Sequence, residues 1–239
     1  IKDIFPEPSD ILMRCTSSGT TGTPKIVEHT HEFLASISYR NSHKFSGDCM
    51  HIKNLNHGSS LAVFLLPSLI SNNVSRHLFY DLDQDRPFNQ FIDSLSKYKE
   101  TLEYIMFPYP FLIDMFVDAS KEHSISWNNL NVQTLSYIQQ SSKDAIKQGM
   151  FKSITSIFGS NETSGPVFEA TIDKDNLTQE SSYYNKVDDF YDINIFNNQM
   201  IEISLPIYNS KIITNDLFEI QDKFYIHRGR SDIIKINGE

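Results

Sequence analysis

Hydrophobic residues over the first two thirds of the chain form short runs that alternate with stretches of helical spacing. The short runs predict strands over residues 26–28, 50–55, 74–80, 104–107, 132–138 and 153–158. Apolar positions three and four residues apart predict helices after residue 30, over 59–69, after Pro87, over 110–120 and over 143–151. Strands that alternate with helices in this way are typical of β-α-β units around a largely parallel sheet.

The pattern changes after Gly165 to short apolar runs separated by polar residues. These runs predict antiparallel strands over residues 193–196, 201–203, 211–213, 217–220 and 224–226, with a hairpin turn at Gln221-Asp222. The polar stretch 173–189 predicts a surface loop. We therefore predict an α/β fold, in which a β-α-β sheet layer over residues 1–165 is followed by a small antiparallel, barrel-like β subdomain over residues 166–239.

Residues 16–25 read Thr-Ser-Ser-Gly-Thr-Thr-Gly-Thr-Pro-Lys and are called the phosphate loop below. Glycines let backbone N–H groups approach an anion closely, hydroxyls add donors, and Lys25 adds a positive charge. The loop is not the nucleotide-hydrolase motif G-x-x-x-x-G-K-[ST], because Gly19 and Gly22 are too close together and Pro24 precedes the lysine. A Ser/Thr-rich linker would share this composition but not the ordered run, so we interpret the segment as a polyphosphate-binding loop.

Three further segments carry candidate chemistry. They are Phe158-Gly159-Ser160-Asn161-Glu162-Thr163, Thr214-Asn215-Asp216, and the segment from Gly229-Arg230-Ser231-Asp232 to Gly238. Together with the phosphate loop, they resemble in order the motifs of the AMP-forming acyl and aryl ligases, the superfamily of acyl-CoA synthetases, peptide-synthetase adenylation domains and luciferases. Segments 139–142 and 159–163 both follow predicted strands, so we expect both at the sheet edge where such folds bind ligands.

The resemblance implies that ATP activates a small carboxylic acid as acyl-AMP, with release of pyrophosphate. The acyl group would then pass to a thiol such as CoA or the phosphopantetheine of an acyl or peptidyl carrier protein. Attack on the α-phosphate requires that the negative charge spread over the phosphates be neutralised. ATP or AMP and Mg²⁺ are therefore the expected ligands, and one carboxylate with phosphate oxygens suffices to bind the metal.

The resemblance also implies a role for each candidate residue. Lys25, Glu162 and Thr16 are expected to be catalytic, with Glu162 and Thr16 at the metal. The expected nucleotide contacts are Ser17, Ser18, Gly19, Thr20, Thr21, Gly22 and Thr23 in the phosphate loop, Phe158 and Gly159 against the adenine, and Asp216 and Arg230 at the ribose. The expected acyl-pocket residues are His57, Gln139 and Ser160, and the expected hinge residue is Asp232.

The chain departs from the family pattern at three places. Residues 139–142 are Gln-Gln-Ser-Ser where the family has small residues, often Gly-Gly-Ala, so adenine or acyl contacts there are in question. Asn215 replaces a glycine, although asparagine tolerates a left-handed backbone better than most residues. Asn161 stands before Glu162, which leaves no threonine at the usual place.

Family members also have a long region before the phosphate loop and a small C-terminal domain, with a second catalytic lysine, after the hinge. Here the loop begins after 15 residues and the sequence stops at Glu239, so we expect either an excised piece of a longer protein or a natural minimal version. A separate C-terminal domain or chain is an expected partner. Two functions stay open: an AMP-forming ligase core, or a non-catalytic nucleotide- or acyl-binding module that another chain completes.

Composition limits the binding partners and the cell compartment that fit this chemistry. The 30 acidic and 21 basic residues give a net charge of −9, which argues against broad binding to nucleic acid or anionic membranes. The only cysteines, Cys15 and Cys49, show no metal or disulfide spacing, and the longest apolar run, residues 61–66, is too short to span a bilayer. The start of the chain lacks signal-peptide character, and we expect a soluble cytoplasmic protein.

His29 and His31 form a His-x-His pair that could chelate a metal if both lay on one strand. Thr30 between them is typical of a helix N-cap, which would direct the two rings differently. We therefore do not expect a metal site at this pair.

Overall fold

The computed structural model describes residues 6–17, 25–52, 60–80, 88–135, 137–180, 182–205 and 210–231. The strands of this part of the chain are β1 (Ile11–Ser17), β2 (Lys25–Thr30), β3 (Gly47–His51), β4 (Val74–Phe79), β5 (Leu102–Phe107), β6 (Trp127–Thr134), β7 (Phe151–Phe158), β8 (Phe168–Asp173), β9 (Tyr183–Lys186), β10 (Asp192–Ile195), β11 (Met200–Leu205), β12 (Ser210–Gln221) and β13 (Phe224–Arg230). The helices are α1 (His31–Ser42), a π-helix over Ser60–Leu65 that continues as α2 (Leu66–Ile70), α3 (Phe88–Ser96), α4 (Pro110–Glu122) and α5 (Gln140–Lys147).

One continuous sheet forms the body of the fold. Its parallel part has the order β4-β3-β5-β6-β7, and its antiparallel part continues from β7 as β8-β9-β13-β12-β11-β10. This confirms the predicted α/β fold, in which a parallel β-α-β layer is followed by antiparallel strands. Because β6 and β7 are parallel neighbours, the segments that follow them lie at the same edge of the sheet, as expected.

Two large hydrophobic clusters hold the layers together. One lies beneath the parallel strands and includes Phe107, Phe116 and the fully buried Trp127, whose ring N–H donates to the Ser120 hydroxyl at 2.9 Å. The other joins α1 to the antiparallel strands through Phe33, Leu34 and Ile37 on the helix and the residues Phe168, Ile203 and Phe218 on the sheet. Helix α1 is thus anchored where the parallel and antiparallel strands meet.

The phosphate loop belongs to a hairpin outside this sheet. Strands β1 and β2 pair antiparallel as a separate two-stranded sheet, and α1 follows β2 directly. Thr30 caps α1, since its Oγ1 accepts the backbone N–H of Phe33 at 3.2 Å, as predicted. The cap joins the hairpin to a helix that is fixed in the core.

Several predicted boundaries are wrong. The strand predicted over 132–138 is β6, which starts at Trp127, because the Asn131 amide is satisfied inside the sheet by the Glu103 carbonyl at 3.1 Å. The helix predicted over 143–151 is α5, which ends at Lys147 before Gly149 at φ +74°. The runs 211–213 and 217–220 belong to one strand, β12, and the hairpin turn lies one residue later than predicted, at Asp222-Lys223.

The predicted surface loop 173–189 is also wrong, because it contains β9, which joins β8 to β13. The side chain of Tyr184 on this strand is buried, and its hydroxyl lies 3.1 Å from the hydroxyl of Ser156 on β7. Strand β8 itself was not predicted. The strand predicted over 50–55 is β3, which lies earlier along the chain, and the helix predicted over 59–69 begins as a π-helix.

Candidate functional site

The phosphate loop joins the end of β1 to the start of β2. Thr16 pairs with Ile26 and Ser17 with Lys25, so the two ends of the loop are held side by side. The side chains of Thr16 and Lys25 are exposed. The predicted nucleotide contacts Ser18, Gly19, Thr20, Thr21, Gly22 and Thr23 lie outside the described residues, as does the side chain of Ser17.

The loop that carries Glu162, residues 159–165, follows β7 and is closed by its own hydrogen bonds; it is called the Glu162 loop. The backbone N–H of Ser160 donates to Thr163 Oγ1 at 2.9 Å, and the N–H of Thr163 donates back to Ser160 Oγ at 3.3 Å. A Cβ atom at Gly159 would meet the carbonyl oxygen of Gly165 at 2.4 Å, so only glycine fits there.

Two outside contacts fix the Glu162 loop to the core. The Tyr191 hydroxyl donates to the Thr163 carbonyl at 3.2 Å, and a Cβ at Gly165 would meet the Ile37 side chain of α1 at 2.6 Å. Helix α1, which is joined to the phosphate loop by β2, therefore also packs against the loop that carries Glu162. One helix is thus connected to both segments.

Direct hydrogen bonds also connect the Glu162 loop to the phosphate hairpin. The Asn161 side-chain amide donates to the carbonyl of Thr16 at 2.9 Å, and His29 Nε2 lies 2.6 Å from the Asn161 carbonyl. Because a carbonyl only accepts, His29 donates from Nε2. Burial lowers the pKa of His29, and the bond to Asn161 and the charge of Glu162 offset part of that shift, which fits a neutral ring.

A second group of polar side chains lies on the neighbouring strands β12 and β13. Asp216 is only 9% exposed and pairs across the strands with Arg230, whose guanidinium lies 3.6 Å from its carboxylate. His227 Nε2 lies 3.3 Å from the other carboxylate oxygen. Asn215 lies within β12 and has no positive φ, so the tolerance for left-handed backbone expected of it is not used.

Phe158 connects the Glu162 loop to the polar side chains on β12 and β13. Its ring centroid lies 5.5 Å from that of His227 and 5.1 Å from that of Phe218, and it directly precedes the Glu162 loop. The segments predicted for adenine, ribose and metal are therefore neighbours in the fold. His227 was not predicted, although a histidine in the apolar run just before Gly229-Arg230 is a signal that sequence reasoning could have used.

Two of the three predicted acyl-pocket residues, Gln139 and Ser160, lie in the described part of the chain. Gln139 is half-buried directly before α5, where its carbonyl accepts the backbone N–H of Lys143 at 3.3 Å. The Ser160 side chain takes part in closing the Glu162 loop. His57 and the predicted hinge residue Asp232 lie outside the described residues.

The donor set of Thr16 and Glu162 fits Mg²⁺, since a hydroxyl and a carboxylate are hard oxygen ligands and the metal keeps phosphate oxygens and waters for the rest of its shell. Among the described residues, no group of three or more His, Cys, Asp or Glu side chains could hold a metal ion by itself. Nor does any helix in this part of the chain have the length and apolar character needed to cross a membrane.

Comparison with solved structures shows the same fold at low sequence identity. An adenylation domain of a keto acid-selecting NRPS module, bound to keto acyl adenylate, superposes with a TM-score of 0.75 at 17% identity over 100% of this chain and 55% of that chain. A luciferase-like enzyme from the nonluminescent Zophobas morio mealworm gives 0.72 at 15% identity over 96% and 60%. An acyl-CoA synthetase (AMP-forming)/AMP-acid ligase II-like protein from Dyadobacter fermentans gives 0.65 at 14% identity over 92% and 60%.

The chain thus spans between 55% and 60% of the length of these three relatives. No curated protein sequence matches it. Residues 2–189, which carry the phosphate loop and the Glu162 loop, match the AMP-binding enzyme family. The chain therefore belongs to the AMP-binding enzyme family, and the NRPS adenylation domain, the luciferase-like enzyme and the acyl-CoA synthetase-like protein share its fold.

Proposed function

We propose that this chain is the nucleotide-binding core of an AMP-forming ligase that activates a carboxylic acid as its acyl-adenylate. One observation carries the proposal: the Glu162 loop lies between the two other segments that the reaction needs. On one side Asn161 bonds to the phosphate hairpin, and on the other Phe158 contacts His227, which bonds to Asp216. A nucleotide that reaches phosphate, ribose and adenine subsites requires these segments to be neighbours.

The proposed roles follow from the chemistry of each side chain. Lys25 and the phosphate loop neutralise the β- and γ-phosphates, while Glu162 and Thr16 hold Mg²⁺, which supplies further charge neutralisation when bound. Asp216 accepts hydrogen bonds from ribose hydroxyls, with Arg230 beside it, and Phe158 and Gly159 lie against the adenine. The carboxylate of the acid attacks the α-phosphate, and pyrophosphate leaves.

The acyl-adenylate would then pass to a thiol, either CoA or a carrier-protein phosphopantetheine. The NRPS adenylation domain with its keto acyl adenylate supports the first step by likeness of fold alone. A reducing compartment such as the cytoplasm is part of the proposal, and it is supported by Cys15 and Cys49, which are free thiols.

Carboxylate-dependent exchange between ATP and labelled pyrophosphate tests the proposal. The chain and any longer native form of it should both be assayed against a panel of aliphatic, aromatic and amino acids. We expect exchange that requires both Mg²⁺ and one class of acid. Nucleotide binding without exchange in either form would favour the non-catalytic binding module, and no binding of either ATP or AMP would contradict both the ligase core and a nucleotide-binding module.

A further inference from the structure

Asn161 is the residue through which the Glu162 loop reaches both strands of the phosphate hairpin. Its side-chain amide bonds to Thr16 on β1, and its backbone carbonyl accepts the hydrogen bond of His29 on β2. Thr16 and Asn161 are 145 residues apart in the sequence. This pair of contacts, called the Asn161 brace, joins two segments that fold from distant parts of the chain.

His29 is built into the brace as a fixed donor. It is 4% exposed, and its ring stacks on Phe33 of α1 with centroids 5.1 Å apart and planes 13° from parallel. Stacking and burial allow the ring little freedom, so the direction of its Nε2–H bond is set by α1. The bond to the Asn161 carbonyl then fixes the distance between the Glu162 loop and β2.

Neither of the joined segments needs the brace for its own structure. The Glu162 loop is closed internally by Ser160 and Thr163 and is tied to the core by Tyr191. The hairpin is closed by the pairing of β1 with β2 and forms no part of the large sheet. What the brace adds is a fixed spacing between the Glu162 loop and the hairpin. Thr16 and Glu162 lie where these two segments meet.

We propose that Asn161 and His29 are positioning residues that set the spacing between Thr16 and Glu162, and thereby the affinity of the nucleotide site for Mg²⁺. The inference rests on the proposed function, since it assumes that these two side chains serve the metal. Partners that orient metal ligands from outside the coordination shell commonly change metal affinity by about 10–100-fold. Asn161 and His29 would act on the two ligands through the backbone, at the carbonyls of Thr16 and Asn161.

Calorimetric titration of ATP over a series of Mg²⁺ concentrations tests the proposal with Asn161→Ala, and a parallel titration uses AMP. We expect the Mg²⁺ concentration for half-maximal ATP affinity to rise about tenfold, with AMP affinity changed less than about twofold. His29→Phe, which keeps the ring stack and removes the donor, should shift the same midpoint. Ser164→Ala is the matched control, because it removes only a 3.3 Å hydroxyl bond to the same carbonyl.

A readout without nucleotide is the tautomer of His29, measured from ring nitrogen shifts by NMR. The proposal requires a proton on Nε2, and a ring protonated at Nδ1 alone would overturn it. Normal binding of Mg-ATP with an unchanged Mg²⁺ midpoint in Asn161→Ala and His29→Phe would overturn the inference alone, as would an equal loss for AMP and ATP. Absence of Mg-ATP binding by the unsubstituted chain would overturn the proposed function and the inference together.

Discussion

Asp216 is nearly buried, yet its carboxylate faces His227 and Arg230 rather than a single ion-pair partner. If it accepts hydrogen bonds from the ribose, Asp216→Ala should weaken ATP and AMP binding alike, by about 1–3 kcal/mol. Asp216→Asn, which keeps the shape but not the charge, should show a smaller loss. Calorimetry with both nucleotides is the measurement, and unchanged affinities in Asp216→Ala would reduce this residue to a structural role in β12.

Lys25 lies at the end of the phosphate loop with an exposed side chain. Lys25→Ala should weaken ATP binding by about 1.5–3 kcal/mol, the usual contribution of a hydrogen bond to a charged group, and leave AMP affinity almost unchanged. Lys121→Ala, at an exposed site in the last turn of α4, is the matched control. Equal losses for ATP and AMP in Lys25→Ala would argue against contact with the β- and γ-phosphates.

At the residue scale, the sequence predicted motif members but not the side chains that act through tertiary contacts. Glu162, Asp216 and Arg230 were predicted as site residues because each stands in an ordered motif. His227 and the hydrogen bonds of His29 were missed, because their partners lie on strands that only the fold brings together. The roles of phosphate-loop residues 18–23 and of His57, which lie outside the described residues, stay predictions.

Among the elements, the turn after β7 has a backbone position, Gly159, that only glycine fits. Gly159→Ala would place a methyl group 2.4 Å from a main-chain oxygen, and we expect a loss of about 1–3 kcal/mol in the free energy of unfolding. Gly149→Ala is the comparison, since its Cβ would meet nothing within 4 Å and only the positive φ would cost stability. Urea denaturation measures both. A Gly159→Ala protein as stable as the parent would mean that the backbone moves freely here.

The edge pair β3–β4 predicts a pH dependence of stability. Burial, with a smaller effect of His77, lowers the pKa of His51 from 6.5 to about 4. As the pH falls from 6.5 towards 4, the unfolded chain takes up a proton that the folded chain refuses. The free energy of unfolding should therefore fall by about 3 kcal/mol over this range, and the contribution of His51 should be fully present above pH 6.5.

Urea denaturation at pH 7.5, 6 and 4.5 measures this effect. His51→Leu should reduce the slope of stability with pH below 6.5 relative to the parent protein. A parent and a His51→Leu protein with the same slope would show that His51 does not contribute.

Element types were predicted better than their bounds, and the errors have physical causes. Helices α1, α3 and α4 follow their apolar spacing, because one face of each packs on the sheet. Strand β9 was assigned to a loop because it is short and polar in sequence, while its burial comes from pairing with β8 and β13. Pairing of this kind between distant segments leaves no local pattern.

At the scale of the whole molecule, the two predicted subdomains, 1–165 and 166–239, share one hydrogen-bonded sheet. The β7–β8 pairing and the cluster around Phe33 and Phe218 cross the boundary between them. We therefore predict a single cooperative unfolding transition. Fluorescence of Trp127, the sole tryptophan, and hydrogen exchange of β11 amides should give the same midpoint. Two separate transitions would support two independent folding units.

Binding of Mg-ATP tests the central claim most directly, because it requires the phosphate loop, the Glu162 loop and Asp216 to form one site. Isothermal titration of the whole chain with ATP should give saturable heat in the presence of Mg²⁺ and weaker binding after Mg²⁺ is chelated. AMP should also bind, with little dependence on the metal. No detectable heat and no thermal protection at millimolar nucleotide, with or without Mg²⁺, would contradict the account.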